Sequence, residues 1–106
     1  MIASITKIRL KSIFKLPKFM FVSGSVFKQA KNAPGNLGVK STSRGLQFFT
    51  LTLWEDERSI TDFMLSGAHR EVMKVIRDYS EDYGSARWEA SEMPPWDEAR
   101  AQLNSK

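Results

Sequence analysis

One histidine, His69, stands directly after the break Ser66-Gly67-Ala68 and directly before Arg70. Imidazole is the side chain whose ordinary pKa lets it take and return a proton near neutral pH, so any such transfer here falls to His69. In that role it would accept a substrate proton, and the Arg70 guanidinium would stabilise the anion left behind. Each also has a plainer reading: a surface histidine at a helix start, and an arginine paired with Glu71, Asp62 or Glu55. Around such a base, Trp54, Phe49 and Trp88, with Phe48, supply flat apolar walls suited to a ring substrate, or simply core. Asn36 and Arg44, in or beside loops, would steer a substrate oxygen or face solvent.

Other chemistries lack their residues. Without cysteine, thiolate catalysis, disulfides and sulfur-ligated zinc are excluded. No GxSxG elbow presents a serine to His69, and Gly35 and Gly38 lack the spacing of a phosphate loop. A protein-only metal site would be mostly carboxylate, and no calcium-type acidic loop is present, so no metal is expected. Asp56, Glu57 and Asp62 surround a helix start, where the helix dipole accounts for them.

The elements that must position these residues follow from periodicity. Residues 2–10 alternate as a strand, with Ile2, Ser4, Thr6, Ile8 and Leu10 on one face. Pro17 suits a first helical turn, and Leu16, Phe19, Met20, Val26, Phe27 and Ala30 then recur at the helical period. Gly24 weakens that helix and would let another backbone approach. The breaker cluster Asn32-Ala33-Pro34-Gly35-Asn36 ends it. Residues 37–43 and 46–54 read as strands joined by a tight turn at Arg44-Gly45, an antiparallel hairpin. Residues 59–65 are helical, with Ile60, Phe63 and Met64 inward, and Ala68, Val72, Val75, Ile76 and Tyr79 continue a second stripe past Gly67. Tyr83-Gly84 reads as a turn into a last strand over 85–90, Met93-Pro94-Pro95 stops it, and 96–103 form a short helix. The order β-α-β-β-α-β predicts a ferredoxin-like α+β domain, a four-stranded antiparallel sheet with an extra short C-terminal helix.

A chain of 106 residues with 42% hydrophobic and 26% charged residues is one soluble-type domain. Its absence of cysteine fits a reducing cytoplasm. The longest apolar run, Phe19-Met20-Phe21-Val22, is too short to cross a bilayer, so no membrane partner is expected. The net charge of +4 is unevenly laid: residues 1–54 hold nine bases and no acid, residues 55–106 seven bases and twelve acids. Interleaving of the two halves accounts for this better than a nucleic-acid face, because the lysines are scattered and no aromatic-basic motif accompanies them.

Two helices cover only one face of a four-stranded sheet. The third strand is nonetheless apolar on both. Leu46, Phe48 and Trp54, diluted by Thr50 and Thr52, lie on one face; Phe49, Leu51 and Leu53 lie on the other. A second copy is the simplest cover for the remaining face, which predicts a homodimer.

Several segments carry a family likeness. The LTLWE strand end, the acidic helix start after it and SGAHREVM resemble small bacterial proteins related to antibiotic biosynthesis monooxygenases. So do residues 6–10 (TKIRL), 32–35 (NAPG) and 87–89 (RWE), so that the likeness spans nearly the whole chain. It points to a subgroup near spheroidene monooxygenase. The resemblance implies a dimeric α+β barrel and a monooxygenase-like role on a small hydrophobic or aromatic molecule, without a bound organic cofactor. It also implies a pocket-lining histidine at the place of His69. Haem-degrading relatives set their axial histidine further along, nearer Met73 than His69, which counts against haem here. The Met73 thioether would be a weak ligand, a pocket-lining group or core filling. A non-enzymatic ligand-binding or interaction module is the rival reading, since scaffold alone confers no chemistry.

Overall fold

The computed structural model describes residues 1–65, 70 and 80–104. In chain order these form β1 (Ile2–Leu10), a 3-10 turn (Ile13–Lys15), α1 (Leu16–Asn32), β2 (Asn36–Arg44), β3 (Gln47–Trp54), α2 (Glu57–Met64), β4 (Ser80–Glu89) and α3 (Trp96–Asn104). The helical stripe expected from Ala68 to Tyr79 lies outside the described residues. The sheet order is β2-β3-β1-β4, every pairing antiparallel. This is the ferredoxin-like α+β arrangement that the element order predicts.

The fourth strand corrects the sequence reading. It begins at Ser80, and Tyr83-Gly84 lies inside it, opposite Ile8 and Lys7 of β1. The Tyr-Gly pair mimics turn chemistry, but nine backbone pairs across β1 hold it extended. Two ion pairs link the same strands: Lys7 and Arg9 reach Asp82 and Glu81 at 3.0 and 2.9 Å. Basic β1 and the acidic start of β4 thus meet as neighbours, and part of the charge asymmetry is internal. Each such exposed pair contributes about 0–1 kcal/mol.

Period-two alternation divides the apolar residues into layers. On one face Ile5, Phe49, Leu51 and Ala86 pack with Ala99 of α3, joined by Trp88, Met93, Trp96 and Leu103. On the other, two clusters stand at opposite ends. Leu10 and Phe19 form one with Ile8, Leu16 and Phe48; Ala30, Trp54, Ile60 and Phe63 form the second with Ile2 and Val26.

The first cluster overturns the reason given for a second copy. The face carrying Ile5, Phe49, Leu51 and Leu53 is already buried within one chain, because α3 lies across it. Arg100 of α3 sits 5.1 Å above the Phe49 ring and 5.6 Å from Trp96, and Lys40 lies over Trp96 at 5.4 Å. A helix read as an appendage is the roof.

Two glycines behave differently. Gly35 has φ +85°, its carbonyl accepts from Glu55 N–H at 2.8 Å, and a Cβ there would stand 2.1 Å from Ser59 Oγ. Only glycine fits this corner, which clamps the α1–β2 connection onto α2. Gly24 shows no such approach: no described residue comes within 4 Å of its would-be Cβ.

Candidate functional site

Between the two clusters on the helix-covered face lies a cavity of about 530 Å³, within the size range of small-molecule pockets. Phe19, Val26 and Phe27 of α1 wall it on one side, and Ile60, Phe63 and Met64 of α2 close one end. Its floor is the sheet itself, and that floor is hydroxylated.

The strand register explains the floor. Ser41 of β2 pairs with Thr50 of β3, Thr50 with Thr6 of β1, and Thr6 with Ser85 of β4. One Ser or Thr from every strand therefore lines up in a row across the sheet, all four bordering the cavity. A neighbouring row runs Val39, Thr52, Ser4, Arg87; on the other side runs Ser43, Phe48, Ile8, Tyr83. Hydroxyls in such rows pair across strands and still offer lone pairs and rotatable O–H donors to a ligand.

Trp54, expected as a wall, is one. Its indole is buried, its Nε1–H donates to Thr52 Oγ1 at 2.7 Å, and its ring tilts on Phe63 at 5.1 Å. Thr52 Oγ1 in turn donates to the Ser4 carbonyl at 3.4 Å. The wall is thus fixed by the polar floor beneath it.

The other expected residues fall elsewhere. Phe49 borders the cavity, but its ring belongs to the opposite layer with Ile5 and Ala99. Trp88 also lies in that layer, so alternation on β4 removes it from the cavity. Asn36 begins β2, where its Nδ2 donates to the Gly38 carbonyl at 3.5 Å, and it does not line the cavity. Arg70 is helical and exposed. His69 and Met73 lie outside the described residues.

Two lining residues escaped the sequence reading. Arg87 is the one charged side chain among the described lining residues. Its Nη1 donates to Glu57 Oε2 at 2.9 Å and its Nη2 meets Met64 Sδ, so β4 is tied to both ends of α2. Tyr83 stands at the rim, 37% exposed. Burial of the phenol pushes its pKa above the ordinary 10.0, while a Ser85 hydrogen bond and the Arg87 charge pull the other way. Tyr83 therefore stays a protonated donor at any physiological pH. The signal was available: even-numbered β1 residues and the threonines of β3 share one face by alternation alone.

The end wall is set locally. Asp56 caps α2, accepting from Ser59 N–H at 2.9 Å and from Ser59 Oγ at 2.8 Å. Those bonds, the backbone one first, hold its carboxyl below the usual range. This fixes Ile60 and Phe63 toward the cavity.

The four-stranded antiparallel, ferredoxin-like α+β fold is that of antibiotic biosynthesis monooxygenase-like proteins. The crystal structure of one antibiotic biosynthesis monooxygenase superposes with a TM-score of 0.77 at 10% identity, over 87% of this chain and 100% of that one. A variant of SnoaB, a cofactor-independent oxygenase from Streptomyces nogalater, gives 0.72 at 10% identity, over 89% and 96%. A conserved protein from Methanosarcina mazei gives 0.76 at 15% identity, over 85% and 92%. These are likenesses of fold. No curated protein matches the sequence. The family model for Domain of unknown function (DUF3291) matches residues 9–105, and the chain belongs to that family.

Proposed function

We propose that the cavity takes a small, mostly apolar ring compound with oxygen substituents, and that the chain is a monooxygenase-like protein working without a bound organic cofactor. The observation that carries this reading is the hydroxyl row Ser41–Thr50–Thr6–Ser85 beneath apolar walls. A hydrocarbon would offer the free lone pairs and donors of those groups nothing, whereas a phenol, quinol or ketone edge laid along the row would hydrogen-bond to them. Arg87 and Tyr83, at the β4 side, would hold an oxygen carrying negative charge.

In this reading His69 removes a substrate proton, and the electron-rich anion reacts with dioxygen. The substrate loses two hydrogens and gains one oxygen atom; the second oxygen leaves with them as water. The oxygenase names of similar folds support the class of reaction, each being stated of its own protein. The pairing of two copies implied by the family likeness also belongs to this proposal, with the open sheet edges β2 and β4 as the available surfaces; sedimentation equilibrium decides it.

The test uses Trp54 as reporter. Titrating hydroxylated aromatics should quench its fluorescence, and Thr6→Val with Thr50→Val should weaken binding up to about tenfold per lost bond, since a hydrogen bond is worth about 1 kcal/mol. The parent hydrocarbon should bind weakly and equally to both forms. Oxygen uptake that His69→Ala abolishes, with binding retained, establishes the reaction. Binding without uptake would leave a ligand-binding module; no binding to any such compound would end the reading.

A further inference from the structure

The chain carries an apolar ridge that the cavity does not use. The 3-10 turn Ile13–Lys15 runs directly into α1, and Ile13, Phe14, Met20 and Phe21 stand 63%, 89%, 55% and 79% exposed. Ile13 and Phe14 lie on the turn, and Met20 and Phe21 follow close behind within α1. Four large apolar side chains in eleven residues exceed the scattered exposure of an ordinary surface. Lys11 and Lys15, both exposed, flank them, and no acid occurs before Glu55.

We propose that residues 11–21 dock on an anionic lipid surface, with Phe14, Phe21, Ile13 and Met20 in the headgroup–acyl boundary and Lys11 and Lys15 against lipid phosphates. Apolar side chains interleaved with lysines on a helix start are what such an interface requires. A second copy fits less well, because a two-fold contact would set this lysine-bearing patch against itself. Single-stranded nucleic acid would leave Ile13 and Met20 without stacking partners. The charge complementarity is therefore with lipid. Surface docking needs no spanning helix, and no helix among the described residues is long and apolar enough to cross a membrane.

Met20 belongs both to the ridge and to the cavity lining. Docking would set the cavity mouth against the bilayer, so an apolar ligand could enter from lipid without crossing water. This deepens the cavity reading, yet its test is separate, because vesicle binding is measured without any cavity ligand.

The experiment is co-sedimentation of the full chain with vesicles of phosphatidylcholine alone and of phosphatidylcholine with phosphatidylserine, at low and high salt. The proposal expects retention on the mixed vesicles, reduced by salt. It expects Phe14→Ser with Phe21→Ser to lower partitioning at least about tenfold, and Lys11→Gln with Lys15→Gln to lower it several-fold. Circular dichroism confirms that these exposed substitutions leave the fold intact. Absence of retention, or retention unchanged in both double variants, overturns it. So does a concentration-dependent dimer that Phe14→Ser with Phe21→Ser dissolves while no vesicle is bound.

Discussion

Tyr83 shows how a single side chain is read through its surroundings. Its phenol is pushed upward chiefly by burial, and the Ser85 bond acts against that shift. The proton is then held more tightly in the folded chain, so the stability it confers is complete below the ordinary tyrosine pKa of 10.0 and is lost as pH rises through the higher folded value. The part of the phenolate absorbance that is lost in Tyr83→Phe, in which Tyr79 is the remaining tyrosine, should titrate above 10.0 in the wild type, and Ser85→Ala should move it higher still. A midpoint at or below 10.0 in the wild type would contradict the placement of this ring. Residue types of this kind are hard to place from sequence because Tyr83-Gly84 carries turn chemistry. Gly84 is tolerated in the strand, where the nearest atoms to its would-be Cβ are Leu103 and Lys7 side chains at 3.8 and 3.9 Å. Trp54, expected at a pocket, borders the cavity, whereas Trp88 lies in the opposite layer, a facing that follows only from its pairing with Ala3 of β1.

At the level of elements, two glycines and one alanine separate what is required from what is incidental. Gly35→Ala should destabilise by about 2 kcal/mol or more, since a side chain at φ +85° is strained and meets Ser59. Gly24→Ala, in an open helical position, should stabilise by about 0.4–1 kcal/mol; urea denaturation of the two variants gives both signs. The period of α1 and the alternation of β1 and β3 were enough to locate those elements within a residue or two. The role of α3 was not legible, because helix count alone assigned it to no layer. Ala99 is fully buried against Ile5 and Ala86, so Ala99→Asp should cost about 3 kcal/mol or more by burying an unpaired charge. A midpoint shift under about 0.5 kcal/mol, typical of surface sites, would mean α3 is not the roof.

Taken whole, the molecule is a sheet with unequal sides. One side is closed by α3 and its aromatic and cationic packing; on the other, the described residues form two separate apolar clusters at its ends. Patterning revealed that both sides were apolar, and even that Thr50 and Thr52 diluted one of them. It did not reveal that the dilution was organised, because that depends on register, which links Ser41, Thr50, Thr6 and Ser85 only once four strands align. The opposed charges of the two chain halves likewise make sense only when β1 and β4 become neighbours. Among the described residues, Lys11 and Lys15 make no such ion pair and stand beside the apolar ridge instead.

The hydroxyl row has a consequence for how this protein can be altered. Its middle positions are where valine or isoleucine would ordinarily complete a core, so the fold forgoes burial it could have had. Selection for heat resistance alone should drift toward aliphatic replacements at Thr6 and Thr50, and the sturdier molecules that emerge would have lost the capacity to recognise an oxygenated guest.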